Sequence, residues 1–342
     1  MNLRCWTLAL GLTAYSLAEE PDQRLFPLPK APPQDPAKVA MGRALFFDPI
    51  LSATGDTACA SCHHPRYAWA DGRSTPLGVH STGLGPSRRL SGATVPEVLA
   101  RNTPSLLNVA FNKTMFWDNR ANDLESQALI PIQAAAEMRG SAVSHEQAIP
   151  EMLKRLKTVP AYAKLSPLDV AQSLAAFERT LVTGDTPFDR YLRGDKTALT
   201  PLQEKGLEVF QRAGCTLCHN GPMLTDFKLH PIGVNDAKEP TTAFRTPTLR
   251  NLAHTGPYMH HGSMTSLEEV LLFYDKLMDQ VSETLDGGDN ASLPPLDPLL
   301  QRMRFLPEDH EPMLAFLKSL NSDEFDSSVP ESVPSGLPVG GK

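Results

Sequence analysis

Four stretches of the chain set apolar residues at helical spacing. The first begins at about Pro36, behind a capping Asp35, and contains Gly42-Arg43-Ala44-Leu45-Phe46. The second begins at Thr200-Pro201, where Gln203 completes a capping box, and contains Gly206-Leu207-Glu208-Val209-Phe210. Leu168 to Val182 and Ser266 to Leu277 follow the same periodicity. A fifth apolar run, Trp6 to Leu17, is of another kind. It follows Arg4 and ends at Ser16-Leu17-Ala18, a small-x-small cleavage pattern. Residues 1–18 therefore read as a secretory signal peptide, too short for a membrane span. No other stretch has the apolar length of a transmembrane helix, so the mature protein is expected to be exported and soluble.

The remaining length suggests two domains, with Gly184 to Lys196 as the boundary. The 31 prolines predict irregular connections between short elements. Residues 326–342, rich in Ser, Pro and Gly, are expected to be a disordered tail. A net charge of −7 gives no footprint for nucleic acid.

Cysteine changes the picture. Of the five, Cys5 falls in the signal peptide, leaving Cys59, Cys62, Cys215 and Cys218. Four cysteines in an exported chain can form two disulfides, but the spacing here is C-x-x-C-H twice: Cys59-Ala60-Ser61-Cys62-His63 and Cys215-Thr216-Leu217-Cys218-His219. In this motif the two thiols add to the vinyl groups of a haem, and the His supplies the proximal iron ligand. Zinc sites or redox dithiols are the alternatives. His64 reads as a bystander, because only His63 is held in register by the thioethers. Each half thus reads helix, loop, haem motif. The fold class is mainly α: two cytochrome c-like domains, residues 19–185 and 186–325, related by internal duplication, each with one covalent c-type haem.

A second repeat supports the duplication. Thr103-Pro104-Ser105-Leu106-Leu107-Asn108 matches Thr246-Pro247-Thr248-Leu249-Arg250-Asn251 at an offset of 143. The same offset pairs Leu124-Glu125 with Leu267-Glu268, Trp117 with His260, and Pro131 with Tyr274. A tyrosine phenolate can ligate ferric iron, whereas proline has no donor atom. If the halves fold alike, the second haem is six-coordinate and the first has an open face. A packed helical tyrosine is the plain alternative for Tyr274.

These motifs, with Arg101-Asn102-Thr103-Pro104, Phe116-Trp117-Asp118, Phe177-Glu178-Arg179-Thr180-Leu181 and Gly256-Pro257-Tyr258-Met259-His260, resemble the bacterial dihaem cytochrome c peroxidase and MauG family from Gly42 to about Leu320. The resemblance implies that hydrogen peroxide reacts at the haem on His63. It makes Glu137 the acid–base, Gln127 the group that positions peroxide or water, and Trp117 a relay between the haems. By composition alone, Glu137 would be a solvated helix residue and Trp117 a core aromatic. Asn102, Thr255 and Pro257 match positions that hold a calcium ion, the latter two through backbone carbonyls.

Tyr274 stands where ordinary members carry Met, which implies a MauG-like subgroup that draws electrons from a protein substrate. Met259, Met264 and Met278 keep a Met ligand open. A scavenging peroxidase, fed by cytochrome c or a small copper protein (a cupredoxin), is the second functional reading, and a dihaem electron carrier the third. Ala213 departs from MauG, which has a surface tryptophan there. His80 lies near the spacing of a loop His that caps the first haem in ordinary members, though its Gly-, Ser- and Thr-rich surroundings read as a surface loop. The family is periplasmic, in keeping with the leader.

Overall fold

A computed structural model describes residues 24–91, 99–234, 243–285 and 296–341, so the signal-peptide segment lies outside the described residues. Among the described residues, eight α-helices carry the fold: α1 (Pro36–Phe47), α2 (Leu124–Gln133), α3 (Ala148–Leu156), α4 (Pro167–Glu178), α5 (Pro187–Leu192), α6 (Pro201–Arg212), α7 (Leu267–Leu285) and α8 (His310–Lys318). Two antiparallel ladders join them: β1 (Ser81–Thr82) with β2 (Arg89–Leu90), and β3 (Leu229–Pro231) with β4 (Ala243–Arg245). Helix starts follow local chemistry. Asp35 accepts from the Ala37 N–H ahead of Pro36. Ser166, Thr186 and Thr200 each form a reciprocal capping box followed by proline, closed by Asp169, Asp189 and Gln203 respectively.

Two apolar cores result. In the first, α1 crosses α4 and Phe46, Trp69 and Phe177 meet edge to face at 5.2–5.7 Å. In the second, α6 crosses α8 and Phe210 meets Phe316 at 5.1 Å. The backbone repeats as well. Asn108 and Asn251 (φ 63° and 62°) and Phe116 and Met259 (φ 68° each) take the left-handed conformation at the offset seen in the sequence. The bridges Met115–Ala121 and Tyr258–Met264 keep it too.

The structure corrects two expectations, one towards each end of the chain. The stretch Gly184 to Lys196 contains α5. Phe188 is fully buried in the second core, and Asp189 forms a buried two-pronged pair with Arg250 at 2.8 and 2.9 Å. Leu25, assigned by sequence to the first domain, packs in the second core, and the neighbouring Leu28 N–H donates to Asp189. The tail is not disordered: it lies along the first domain. Val333 and Val339 are buried there, Ser335 Oγ donates to Asp48 at 2.6 Å, and the Gly340 N–H donates to the Phe47 carbonyl at 2.8 Å. Its two valines supply the apolar anchorage that its composition conceals. Among the described residues no helix is long and apolar enough to cross a membrane.

Candidate functional site

Each C-x-x-C-H motif forms a tight helical turn at the wall of a large cavity. In the first, the His63 N–H donates back to the Cys59 carbonyl, and in the second His219 repeats this with Cys215, both at 2.8 Å. That turn points the two sulfurs and the imidazole the same way. His63 Nδ1 is 3.2 Å from the Trp69 carbonyl, and His219 Nδ1 is 3.0 Å from the Leu224 carbonyl. A carbonyl only accepts, so Nδ1 carries the proton and Nε2 keeps the lone pair a metal needs. Burial pulls His63 down to about 4, which keeps the ring neutral.

The thiols fit covalent attachment better than thiolate chemistry. Burial pushes Cys62 up to about 12 and Cys59 higher still, so neither is a ready redox thiolate. Cys59, Cys62, Cys215 and Cys218 are unpaired, and among the described residues no three His, Cys, Asp or Glu side chains converge as a metal site. The cavities have volumes of about 220 and 250 Å³. Both are lined by Arg245, a buried guanidinium that burial alone brings down to about 10, with no acid opposing that shift. Its Nε donates to the Phe116 carbonyl. A buried cation without an anion suits the propionates of a haem. The residues present therefore fit such a group in both cavities.

The first cavity gathers the residues singled out by the sequence. Cys59, Cys62 and His63 share its lining with Gln127, Pro131 and Glu137. Gln127 and Pro131 lie on α2, and Glu137 sits in the wide helical turn Ala135–Arg139 that follows. That turn is clamped by the loop opposite. The Val79 N–H donates to the Glu137 carbonyl, and Gly78 comes so close that a Cβ there would lie 2.0 Å from the Ala136 carbonyl oxygen. Burial raises the Glu137 carboxyl above its usual range, opposed weakly by Arg120. His80 is exposed on the adjoining loop, outside the cavity lining.

In the second cavity Tyr274, from α7, stands with Cys215, Cys218 and His219, and burial raises its phenol. Met259 also lines it, whereas Met264 pairs with Tyr258 and Met278 packs into the core, neither lining the cavity. Met303 and Met313 line it without having been foreseen. Trp117 lines both cavities, donating from Nε1 to the Asn102 carbonyl at 2.9 Å and meeting His260 edge-on at 6.5 Å. Asn102, Thr255 and Pro257 all line the second cavity, and Asn102 Nδ2 is engaged by the Arg73 carbonyl, so its Oδ1 is the atom a cation would take. Ala213 is fully buried. Arg245 and Glu178 were missed as site residues. Arg245 was within reach, since the offset of 143 pairs it with Asn102.

Residues 36–197 match the family described as di-haem cytochrome c peroxidase. The methylamine utilization protein MauG of Methylorubrum extorquens is 36% identical over 330 residues, which cover 89% of this chain and 84% of that protein. The cytochrome c551 peroxidase of Pseudomonas aeruginosa is 33% identical over 308 residues, 83% of this chain and 78% of that one. The crystal structure of a MauG-like protein associated with microbial copper homeostasis superposes with a TM-score of 0.65 at 26% identity, covering 93% of this chain and 96% of its own. The chain belongs to the dihaem cytochrome c peroxidase family.

Proposed function

We propose that the protein is a periplasmic, peroxide-dependent oxidase with one c-type haem in each of two duplicated domains. Hydrogen peroxide is reduced in the cavity of His63, and electrons are drawn through the cavity of His219 from a protein substrate. One contrast carries this reading: Pro131 lines the first cavity where Tyr274 lines the second. A residue without a donor atom leaves room for peroxide, while a phenol beside the second motif can close that face.

A bound haem iron would supply the redox centre that gives electrons to peroxide. The chain does the rest. Cys59 and Cys62 would hold the group covalently, and His63, oriented by the Trp69 carbonyl, would offer Nε2 to its iron. Gln127 orients peroxide. Glu137 takes a proton from one peroxide oxygen and returns it to the other, a task for which burial brings its affinity towards neutrality. The same burial keeps the Tyr274 phenol protonated until a cation displaces that proton, so its ligation depends on the metal. Trp117, in the wall of both cavities, is placed to pass electrons between them. A calcium ion held by Asn102 and the Thr255 and Pro257 carbonyls would brace that wall.

A second reading is favoured by Ala213. It is buried where a MauG-type protein exposes a tryptophan, so that route from a protein substrate is missing. A scavenging peroxidase supplied by a cytochrome c or a cupredoxin needs no such residue. The test is low-temperature electron paramagnetic resonance of the ferric protein, before and after one equivalent of peroxide. One high-spin and one low-spin signal, both lost on addition, support the oxidase. Two low-spin signals unmoved by peroxide overturn it and indicate electron transfer alone. Sustained turnover with a reduced cytochrome c or copper protein favours scavenging.

A further inference from the structure

The reduction of peroxide needs more protons than Glu137 can supply. Hydrogen peroxide, two electrons and two protons give two molecules of water: the O–O bond breaks and each oxygen ends with two hydrogens. Glu137 moves one of peroxide's own protons from one oxygen to the other, which releases the first water. The two electrons from the donor must then be matched by two further protons.

A second carboxyl lines that cavity. Glu178, the last residue of α4, is buried, and its Oε2 is sealed from solvent without a hydrogen-bond partner. We infer that Glu178 is a proton store for the first haem, protonated when the iron is reduced and releasing its proton as the iron is oxidised. In turnover that proton goes to the peroxide oxygen left after the first water, as one of the two further protons, and the other comes from solvent. This rests on the haem-binding reading of the first cavity, and its use in turnover rests on the peroxidatic one.

The surroundings favour a neutral carboxyl at rest. Arg179, its neighbour, is the obvious cation, but its two terminal guanidinium nitrogens are held by Glu125 of α2 at 2.7 Å. From α1, Arg43 lies over the Phe177 ring and is paired with Asp326 of the tail at 2.7 Å. The first motif brings Cys59, whose sulfur is neutral as a thioether. Glu137, Arg101, Arg120 and Arg245 share the cavity lining, the last suited to a propionate. Burial, helped by Glu125 and opposed by Arg179, brings Glu178 up to about 8. An unpartnered buried carboxylate is costly, so the charged form needs a new positive charge nearby. Oxidation of the iron provides one, and the linkage is reciprocal: holding the proton favours the reduced iron.

The test uses the protein with both haems bound. Potentiometric titration of the first haem is repeated across two pH units either side of about 8. The wild-type potential is expected to fall as pH rises, by up to about 59 mV for each tenfold drop in proton concentration. Glu178→Gln is expected to flatten that slope, and to do so more than Glu137→Gln does. Oxidised-minus-reduced infrared spectra of the wild type should show a protonated-carboxyl C=O band lost on oxidation and absent from Glu178→Gln. A slope that survives Glu178→Gln, or one abolished by Glu137→Gln alone, overturns the inference. So does the absence of the carboxyl band in the wild type, a measurement that needs no variant to fold. None of these readouts uses peroxide, so a failed peroxidatic reading would appear separately in the resonance experiment.

Discussion

Gly42 of α1 lies against Ser173 of α4 so closely that a Cβ on the glycine would sit 1.8 Å from the Ser173 carbonyl oxygen and 2.9 Å from Phe177 Cβ. The second core repeats this: a Cβ on Gly206 of α6 would lie 2.0 Å from the Pro312 carbonyl oxygen and 2.7 Å from Phe316 Cβ. Backbone cannot yield as a flexible side chain can. Although alanine is the better helix former by about 1 kcal/mol, Gly42→Ala and Gly206→Ala are expected to destabilise by about 1–3 kcal/mol or more. Denaturant unfolding checks the sign. A gain in stability with either variant would mean that the helices do not cross this closely.

His230 is pinned between Asp297 at Nδ1 (2.6 Å) and Asp226 at Nε2 (2.9 Å), beside the second cavity. Burial disfavours its charge, but the bonds to Asp297 and then Asp226 outweigh burial and raise it above its usual value. A folded-state value above the unfolded one means that the folded state binds the proton more tightly. The stabilisation is complete below the unfolded value of about 6.5 and disappears as pH rises through the higher folded value. Thermal unfolding of the wild type, compared with His230→Gln, should show the difference between them shrinking over that window. A difference that widens above about pH 6.5 would reverse the assignment.

The tail offers a test of a different kind. Val333 and Val339 are buried on the first core, and the Trp69 indole donates to the Asp326 carbonyl at 2.9 Å. Gly341 reaches the first haem motif, where a Cβ would lie 3.0 Å from the Ala60 carbonyl oxygen and 2.5 Å from Cδ2 of the adjoining His64. Fully burying a valine stabilises by about 1.5–3 kcal/mol, so ending the chain at Glu324 is expected to cost about 3 kcal/mol or more. The loss should fall on the first domain. Protease resistance and the melting of each haem's absorbance would report it, and an unchanged first domain would show the tail to be dispensable.

That tail also marks where sequence reasoning reached its limit. The capped helices, the two haem motifs and the 143-residue offset were legible because each depends on residues near one another in sequence or on a fixed repeat. Gln127 and Glu137 were found only through a resemblance, since nothing local distinguishes a buried cavity glutamate from a solvated one. Leu25 and Val339 exchange cores because packing between distant segments leaves no periodic trace. Glu178 occupies an ordinary helical position, and only the crossing of α4 over α1 and α2 turns it inward.

Glu137 provides the sharpest prediction about activity. Its turn is clamped by Gly78 and Val79, so a substitution should act through the carboxyl rather than through its placement. Glu137→Gln keeps the shape, cannot take up a proton, and is expected to slow peroxide reaction by about 10²–10⁴-fold. Because the group must be ionised to accept peroxide's proton, the wild-type rate should fall as pH drops through its raised value. The Gln variant should lose that pH dependence, and Gln127→Ala should weaken peroxide binding while leaving it in place. Stopped-flow measurement against peroxide concentration separates the two effects. If Glu137→Gln reacts at the wild-type rate, the proton must move through another group, and the first cavity would need a different acid–base.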